Sequence, residues 1–380
     1  MAEKIVVFGA GATGRGHVGL LAWQAGYEIV FVDINPELVQ TLEKSGEYRV
    51  RIYGQYMREV SVTGYRVYHA GQREAIADEI KDAVLVLTAV FDQNLSDVAR
   101  TVSLAVGACR KASRTVPLNC IACENMMNSS SVLGMHVYAH LTGDDASYCD
   151  EYIGFPDCMI SRVVPRPEPD PLVVVAEDYN EWTARKEAFK GAKPGALTAL
   201  ELVDNQTRKL FIHNGSHAIC GYVGFHRGWK YIHEAVKDCV VAAHVLGALD
   251  ELGAVIQVRH GFTPESIDTY KNDFVRRGSV PEMRDEILRV VRDPIRKLSP
   301  NERLVAPAVL AEQYGLNHGW IVKGIAACLR YCHNSDGQSI MMAEMIRSEG
   351  VISVIEKICK ISPRITLARD ITAAYNGWTN

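Results

Sequence analysis

The feature that most constrains the fold is a glycine-rich segment, GAGATGRG at residues 9–16, which directly follows a short β-branched run at Ile5–Phe8. The spacing G-x-G-x-x-G between a strand and a helix is typical of a dinucleotide-binding loop. One glycine permits a tight turn, one lets the backbone approach a pyrophosphate, and one lets helix and strand pack closely. The phosphate charge then lies at the positive end of the following helix. Gly9, Gly11, Gly14 and Gly16 are therefore predicted cofactor-binding residues, the alternative being a glycine turn without a ligand.

A second β run, Ile29–Val32, ends at Asp33, about 20 residues after the glycine loop. An acidic side chain in this place accepts hydrogen bonds from the hydroxyls of the adenosine ribose and repels a 2′-phosphate. The sequence therefore predicts NAD rather than NADP as the cofactor. A helix or turn cap is the alternative role for Asp33.

Four further residues are candidates for the cofactor site. Arg15 lies within the glycine loop, where it either approaches a phosphate or is an exposed loop arginine. Thr88, Ala89 and Val90 end a later apolar strand, and they either line the cofactor bed or belong to the ordinary core.

The order of apolar segments predicts the fold class and two domains. In the first half, strand-like and helix-like segments alternate, and the runs Val84–Val90 and Val116–Cys123 are almost continuously apolar. Apolar runs of this kind are typical of parallel strands buried on both faces, and we therefore expect an α/β, Rossmann-type doubly wound parallel sheet. Long helical stretches follow, at Ile232–Leu252, Pro281–Arg292 and Ile321–Tyr331. We therefore predict a nucleotide-binding domain at residues 1–193 and a mostly α-helical domain at residues 194–380.

Composition narrows the classes of function. The chain has 380 residues, 48% of them hydrophobic, and a net charge of −4 with basic and acidic residues intermixed. Such a surface is not expected to recruit nucleic acid or a membrane, and no apolar run reaches the roughly 20 residues that span a bilayer. The ten cysteines lie in strand-like or helical segments and no signal peptide is seen, so we expect a cytoplasmic protein with reduced cysteines. Cys120-x-x-Cys123 has no matching second pair, which favours a core strand over a zinc site.

Two segments carry suitable chemistry for the oxidation of an alcohol, which requires a base and donors to the developing alkoxide. The first is Ala-Cys-Glu-Asn, ending at Asn125, after a strand whose carboxyl end lies where open α/β sheets bind ligands. The second is KLFIHNGSH at residues 209–217. On an α-helix, Asn214 and His217 lie about 140° and 80° from Lys209, so the three share one broad side.

Lys209 would serve as the base if burial lowers its proton affinity, and the asparagines can donate amide N–H groups without changing charge. The alternatives are a surface lysine on an amphipathic helix and asparagines in caps or turns. His213-x-x-x-His217 resembles half of a metal site, but Asn214 replaces the glutamate of the H-E-x-x-H pattern. No metal is therefore expected, and His213 is interpreted as a core histidine.

Five spaced motifs resemble one family. They are the glycine loop, ACEN at 122–125, RVVP at 162–165, K-x4-N-x2-H at 209–217 and P-x-R-K-L-S-x3-R-L at 294–304. In this order they resemble the polyol-specific long-chain dehydrogenases, and most closely the mannitol-1-phosphate branch of that family. The likeness covers nearly the whole chain.

The resemblance implies a Rossmann domain followed by a helical domain, with the active site in the cleft between them. It implies that Lys209 is the general base, that Asn125 and Asn214 are oxyanion donors, and that His217 orients a substrate hydroxyl. The reaction implied is the reversible, NAD-dependent oxidation of mannitol 1-phosphate to fructose 6-phosphate, without a metal and in a monomer.

Two positions differ from the phosphate-specific members of that branch, which carry a lysine at the place of Ala306 and an asparagine at the place of Val280. Arg296, Lys297 and Arg303 remain candidate phosphate ligands, since guanidinium groups suit phosphate, with ion pairs as the alternative. An unphosphorylated polyol or a sugar acid therefore stays open as substrate, as in mannitol 2-dehydrogenases and fructuronate or tagaturonate reductases. A non-catalytic NAD sensor is the third possibility, although a sensor has no use for a base.

Overall fold

The computed structural model describes residues 3–54, 56–126, 128–164, 168–203 and 207–378. The chain forms two compact units, Met1–Gln206 and Thr207–Asn380. The division falls later than the predicted 193/194 because strand Leu200–Val203 pairs in parallel with strand Glu181–Arg185 and so belongs to the first unit. Pro165, the last residue of the RVVP motif, lies outside the described residues.

The first unit is built on a parallel sheet. Its strands are β1 (Lys4–Phe8), β2 (Glu28–Asp33), β3 (Glu47–Tyr53), β4 (Arg58–Thr63), β5 (Arg66–His69), β6 (Ala83–Thr88), β7 (Leu118–Ala122), β8 (Ile153–Gly154), β9 (Cys158–Ser161), β10 (Val173–Glu177), β11 (Glu181–Arg185) and β12 (Leu200–Val203). Six of them form one sheet in the order β5-β2-β1-β6-β7-β8, and all five pairings are parallel. Numbered within that sheet, the order is 3-2-1-4-5-6, which is the order of dinucleotide-binding sheets. The predicted Rossmann-type sheet is confirmed.

The two faces of this sheet explain its apolar sequence. On β1, Ile5 and Val7 join one buried cluster while Val6 and Phe8 join another, so successive side chains enter two separate cores. Each fully buried side chain of this kind contributes about 1.5–3 kcal/mol to stability. Two smaller sheets, β10-β3-β4 and β12-β11-β9, complete the strands of the described part of the unit.

Helices connect the strands of the first unit, and they are α1 (Leu20–Gln24), α2 (Pro36–Ser45), α3 (Arg73–Lys81), α4 (Leu95–Lys111), α5 (Ser129–Tyr138) and α6 (Asp144–Tyr152). A π-helical segment, Gly14–Gly19, precedes α1. Helix α2 begins with a side-chain cap. The side chain of Asn35 accepts hydrogen bonds from the backbone N–H groups of Glu37 and Leu38, at 3.0 and 3.3 Å, and proline occupies the first helical position.

The second unit is helical. It begins with a π-helical segment, Lys209–Gly215, and continues with α7 (Ser216–His226), α8 (Ile232–Ala235), α9 (Cys239–His260), α10 (Pro264–Gly278), α11 (Ile287–Val291), α12 (Pro294–Lys297), α13 (Val305–Gln313), α14 (Gly319–Arg330), α15 (Gly337–Glu349), α16 (Val351–Val354) and α17 (Thr366–Asn376). The helix predicted at Ile232–Leu252 is two helices, because the side chain of Asp238 caps α9 by accepting from Val240 N at 2.9 Å and Val241 N at 3.1 Å. The segment at Pro281–Arg292 is likewise divided, into a short 3₁₀ turn and α11.

Helix α9 corrects one expectation from the sequence. Its 22 residues are long and apolar enough, by length and composition, to cross a membrane, although no such segment was expected. Half of its most apolar window is buried inside the protein, and core helices of soluble proteins pass the same test. The acidic pair Asp250 and Glu251 interrupts the apolar run, and the Glu251 carboxylate accepts from the N–H groups of Trp320 and Ile321 at the start of α14.

Candidate active site

The glycine loop crosses the end of β6 at close range. Gly9 has a positive φ of 93°, and a Cβ atom there would lie 2.2 Å from the carbonyl oxygen of Ala89. A Cβ atom on Gly14 would lie 1.8 Å from the carbonyl oxygen of Gly9. Both positions therefore require glycine, and this crossing lies where the strand order of the sheet reverses, between β1 and β6. Open α/β sheets bind ligands at that point.

The other two glycines of the loop have different surroundings. A Cβ atom on Gly11 would meet nothing within 4 Å, so the backbone borders open space that a pyrophosphate can enter. A Cβ atom on Gly16 would lie 2.7 Å from a methyl group of Val174 on β10, so glycine at this position allows the loop to pack closely against β10. The guanidinium of Arg162, from the RVVP motif, donates to the carbonyl oxygen of Gly16 at 3.1 Å.

Arg15 is buried within the first unit. Its Nε donates to the carbonyl oxygen of Ala10 and its Nη1 donates to that of Pro171, each at 2.6 Å. Its guanidinium lies 5.4 Å from the centre of the Tyr48 ring, and burial lowers the pKa of Arg15 from its ordinary value. These contacts fix the glycine loop against its neighbours, and they favour a structural role over the predicted contact with phosphate.

Asp33 lies at the edge of a cavity of about 440 Å³ in the first unit. Its Oδ2 accepts from Ala10 N at 2.8 Å and its Oδ1 accepts from Asn35 N at 2.9 Å. An ionised carboxylate has about four acceptor positions, so capacity remains for ribose hydroxyls. The cavity is also lined by Gly9, Gly11, Ala89 and Val90, which brings most of the predicted cofactor residues to one place.

Glu124 holds the loop after β6 on one side of this cavity. Its Oε1 accepts from the Thr88 hydroxyl and from Val90 N, each at 2.8 Å, and its Oε2 accepts from Phe91 N at 3.0 Å. Burial raises the pKa of Glu124 although these hydrogen bonds oppose the shift. Thr88 is fully buried and does not line the cavity, so it acts with Glu124 in positioning the loop rather than as a contact for the cofactor. Asn125, the next residue of the segment, is exposed after the end of β7.

Phe91 has an unusual backbone conformation in that loop. Its φ of 68° and ψ of 151° lie in a region nearly confined to glycine. A residue with a side chain in such a region costs about 1–3 kcal/mol and persists only where its surroundings impose it. The hydrogen bond from Phe91 N to Glu124 is one such constraint.

The second unit places Lys209, His213 and Asn214 in one buried turn. The backbone from Lys209 to Gly215 is π-helical, with bonds that close at i→i+5 instead of i→i+4. Lys209 and Asn214 are five residues apart, so the wider turn brings them closer together around the helix axis than the roughly 140° by which an α-helix would separate them. The Lys209 side chain is buried, with 7% of the residue exposed, so the alternative of a surface lysine is wrong.

His217 lies in the first turn of α7 and is held by a carboxylate. Its Nε2 lies 3.0 Å from Oδ2 of Asp285, whose Oδ1 accepts from Arg289 at 2.6 and 2.8 Å. Burial alone would raise the pKa of Asp285, but the charge of Arg289 and the hydrogen bond from His217 hold it at about 2. The carboxylate is thus an acceptor only, so Nε2 of His217 carries a proton, and in the neutral ring Nδ1 is an acceptor.

Two buried donors of the same turn have no hydrogen-bond partner among the described residues. They are Nδ1 of His213 and Nδ2 of Asn214. Burial, together with the charges of Arg277 and its other cationic neighbours, keeps the pKa of His213 well below its ordinary value, so the ring is neutral. Buried polar groups are nearly always hydrogen-bonded in folded proteins. These unsatisfied polar groups are therefore available to bind a polar ligand.

The three candidate phosphate ligands also lie in the second unit. Arg303 donates to Glu302 at 2.9 Å, and Arg296 Nη1 lies 3.6 Å from the same carboxylate. Lys297 is buried and donates to the carbonyl oxygen of Arg292, and burial together with the charges of Arg296 and Arg303 lowers the pKa of Lys297 to about 7. The carboxylate of Glu302 thus pairs with two arginines, and the charges of the same two arginines act on the Lys297 amine, which is a setting that favours an anion. The cluster adjoins the π-helical turn, because a Cβ atom on Gly215 would lie 2.9 Å from the Arg303 carbonyl oxygen.

Sequence reasoning missed Glu124 and Asp285 as positioning groups. A signal for each was present. Glu124 directly follows a buried strand, where an acidic side chain is seldom found unless it has partners. Asp285 precedes Arg289 by four residues, a spacing that favours an ion pair. Among the residues that the structure describes, no group of three or more His, Cys, Asp or Glu side chains is placed to hold a metal ion.

Comparison with known proteins gives the family. Residues 3–196 match the family model of the mannitol dehydrogenase Rossmann domain, and residues 201–370 match that of the mannitol dehydrogenase C-terminal domain. The fold is similar to that of Pseudomonas fluorescens mannitol 2-dehydrogenase, solved in a ternary complex with NAD and D-mannitol, at 16% identity and a TM-score of 0.79 over 99% of this chain and 92% of the other. A substrate-free D-sorbitol dehydrogenase is similar at 16% identity and a TM-score of 0.80, over 99% and 93%. The two matching domain models confirm the resemblance seen in the motifs, and the chain belongs to the mannitol dehydrogenase family.

Proposed function

We propose that this protein is an NAD-dependent, metal-independent polyol dehydrogenase of the cytoplasm that oxidises mannitol 1-phosphate reversibly to fructose 6-phosphate, as a mannitol-1-phosphate 5-dehydrogenase does. The observation that carries the proposal is the buried turn of the second unit, where Lys209 and the Nδ2 atom of Asn214, which has no partner among the described residues, lie in one π-helical segment that adjoins a buried basic cluster. A base, an oxyanion donor and an anion site are the three functions that this reaction requires.

The cofactor assignment has support from the first unit. Gly11 borders open space, and Asp33 lines a cavity together with the glycine loop, which fits a dinucleotide without a 2′-phosphate. The similar mannitol 2-dehydrogenase was solved with NAD. NAD, when bound, supplies the acceptor for hydride.

The side chains of the second unit supply proton transfer and orientation. Lys209, which is buried, acts as the general base and takes the proton of the substrate hydroxyl. The Nδ2 group of Asn214 donates to the same oxygen as negative charge develops on it, and the amide of Asn125 is proposed as the second donor. His217 accepts a hydrogen bond from a neighbouring hydroxyl through Nδ1, because Asp285 fixes the proton on Nε2.

The phosphate group of the substrate is the most specific element of the proposal. Arg296 and Arg303 share the carboxylate of Glu302, and their charges lower the pKa of the neighbouring Lys297, so a dianionic phosphate would offset excess positive charge in this cluster. A sugar acid is the second candidate, since its carboxylate is also an anion and would use the same cluster. An unphosphorylated polyol would leave the excess positive charge of this cluster without a counter-charge from the substrate.

A panel of substrates tests these alternatives. Oxidation of NADH would be followed with fructose 6-phosphate, fructose, fructuronate and tagaturonate, and Arg303→Leu would be compared with the wild type. We expect the highest kcat/KM for fructose 6-phosphate and a selective loss for that substrate in Arg303→Leu. Equal or better rates with fructose would contradict a phosphate substrate, and a preference for a ketohexuronate would establish the second candidate.

Two further properties belong to the proposal. Full activity after treatment with EDTA is expected for a mechanism without a metal, and a metal-dependent loss would contradict it. A monomer is expected in sedimentation velocity.

A further inference from the structure

Two exposed apolar side chains line the cavity of the first unit. Ile34 follows Asp33 and is 73% exposed, and Phe91 follows Val90 and is 63% exposed. They come from different loops, the one after β2 and the one after β6. Large apolar side chains with this exposure contribute little to packing of the core. Because both lie at one cavity, they indicate a ligand with an apolar surface.

The conformation of Phe91 strengthens this inference. A turn that needs a φ of 68° with a ψ of 151° is best formed by glycine, and phenylalanine there is strained. The carboxylate of Glu124 fixes the loop through Val90 N and Phe91 N, and the side chain of Asn94 donates to the Val90 carbonyl oxygen at 2.6 Å. The protein thus holds an aromatic ring at the cavity although the backbone disfavours any side chain at this position.

The order of residues along the cavity indicates which part of a dinucleotide would meet the ring. Gly9 and Gly11 border the place of the pyrophosphate, and Asp33 marks the place of the adenosine ribose. Ile34 lies directly after Asp33 in the chain, so the base attached to that ribose is the flat apolar group nearest to it.

We propose that Phe91 is the aromatic wall of the adenine subsite, held in a strained conformation by Glu124 so that its ring stacks on the adenine of NAD, with Ile34 as a second apolar contact. The inference rests on the proposed use of NAD. Phe91 contacts the cofactor far from the reacting atoms, so its removal weakens binding of the adenosine half without changing the chemical step.

Binding of ADP-ribose, which lacks the nicotinamide, tests the proposal by isothermal titration calorimetry on Phe91→Ala, Phe91→Gly and Phe91→Tyr. Stacking of a base on an aromatic ring predicts a roughly five- to hundredfold weaker Kd for both Phe91→Ala and Phe91→Gly. Phe91→Tyr keeps the ring and should bind within about threefold of the wild type. Val116→Ala is the matched control, since Val116 is 62% exposed and does not line the cavity.

Thermal unfolding without ligand gives an independent measurement. Phe91→Gly relieves the strained backbone and should raise the apparent Tm by about 1–4 °C while it weakens binding, a pair of opposite effects that a merely structural residue would not show. At saturating NADH, kcat should be unchanged, with the loss confined to KM for the cofactor.

The outcomes separate the two proposals. If the wild type binds ADP-ribose and both ring-deleted variants bind it equally well, the role of Phe91 is wrong while NAD use stands. Weaker binding of ADP-ribose in Phe91→Gly alone would be explained by backbone flexibility, and it would also contradict the proposed role of Phe91. If the wild type binds neither ADP-ribose nor NADH, the cofactor assignment fails and the inference fails with it.

Discussion

The candidate cofactor site of the first unit and the candidate catalytic site of the second unit, called here the two half-sites, consist of different kinds of chemical groups. In the first unit the cofactor site is mainly backbone, since Gly9 and Gly14 permit contacts that no Cβ atom would allow and Gly11 borders open space. In the second unit the site consists of buried side chains, among them Lys209 and the unpartnered donors of His213 and Asn214. One half-site is therefore specified by shape, and the other by charge and hydrogen bonding.

This difference predicts how each half-site responds to substitution. Substitutions that add side-chain atoms to the glycines should damage the backbone site. An added atom that clashes with protein should lower stability, and one that enters the space for the ligand should weaken binding. Removed atoms should damage the side-chain site, because buried polar groups lose their partners or the reaction loses its base. Four experiments test the contrast.

The largest effect is expected at Lys209. Lys209→Ala should lower kcat at least roughly a hundredfold, the usual contribution of a positioned acid–base group, while the Kd for NADH changes little. Lys209→Arg is the matched variant, because it keeps the positive charge but cannot release a proton near neutral pH, and it should be equally inactive. Steady-state kinetics and fluorescence titration with NADH measure the two quantities. Turnover near the wild-type value in either variant would remove the base from the mechanism.

Two glycine substitutions should separate folding from binding in the first unit. In Gly14→Ala the new Cβ atom meets the Gly9 carbonyl oxygen at 1.8 Å, so the loop must move and stability should fall by about 1–3 kcal/mol. In Gly11→Ala nothing lies within 4 Å, so stability should be retained while the Kd for NADH weakens roughly five- to hundredfold. Urea denaturation and NADH titration give the comparison. Normal affinity in Gly11→Ala would mean that the pyrophosphate does not lie against this residue.

Lys297 predicts a dependence of stability on pH. Its pKa is lowered to about 7 in the folded protein, whereas the unfolded chain keeps the ordinary value near 10.5. Between these values the unfolded state binds more protons, so stability rises with pH. The free energy of unfolding should increase by about 2 kcal/mol from pH 7 to pH 9 relative to Lys297→Met, which carries no charge.

The control for Lys297 is the same measurement in the presence of inorganic phosphate. An anion that binds the basic cluster should favour the protonated amine, and so it should stabilise the wild type at pH 7 more than it stabilises Lys297→Met. Parallel pH curves for the two proteins would show that the amine is charged and solvated in the folded state.

The smallest effect is expected at Asp33. Asp33→Ala should narrow the preference for NAD over NADP by roughly tenfold, because a charged hydrogen-bond acceptor for the ribose is lost together with its repulsion of a 2′-phosphate. Arg73 lines the same cavity and would remain to attract that phosphate. The ratio of kcat/KM for the two cofactors measures the change. An unchanged ratio would place Asp33 away from the ribose.

The backbone half-site was the easier one to predict from sequence. The glycine spacing and the position of Asp33 after a strand reflect local geometry, and local geometry leaves a pattern in neighbouring residues. Arg15 and Thr88 were harder, since both are polar residues next to a predicted ligand site whose side chains bond inward, to carbonyl oxygens and to Glu124. Their direction depends on Pro171 and Glu124, which are distant in the sequence.

The side-chain half-site was predicted from a motif and a helical spacing, and the spacing was only partly right. Lys209 and Asn214 lie in a π-helical turn, which the α-helical angles used for the prediction do not describe. Asp285 was missed because its partner His217 is 68 residues away. Pairings of that kind follow from tertiary packing, and a single sequence does not contain the pattern that would reveal them.

The π-helical turn at Lys209–Gly215 has a consequence for how the second half-site is maintained. The same seven residues could wind as an ordinary α-helix with no change in composition, and the amine would then point about 140° away from the amide of Asn214. The relative placement of the amine and the amide therefore depends on whether these residues wind as a π-helix or as an α-helix. A Cβ atom at Gly215 would lie 2.9 Å from the carbonyl oxygen of Arg303, so a bulkier residue at that glycine would force this turn or the backbone of Arg303 to move without touching either reacting group.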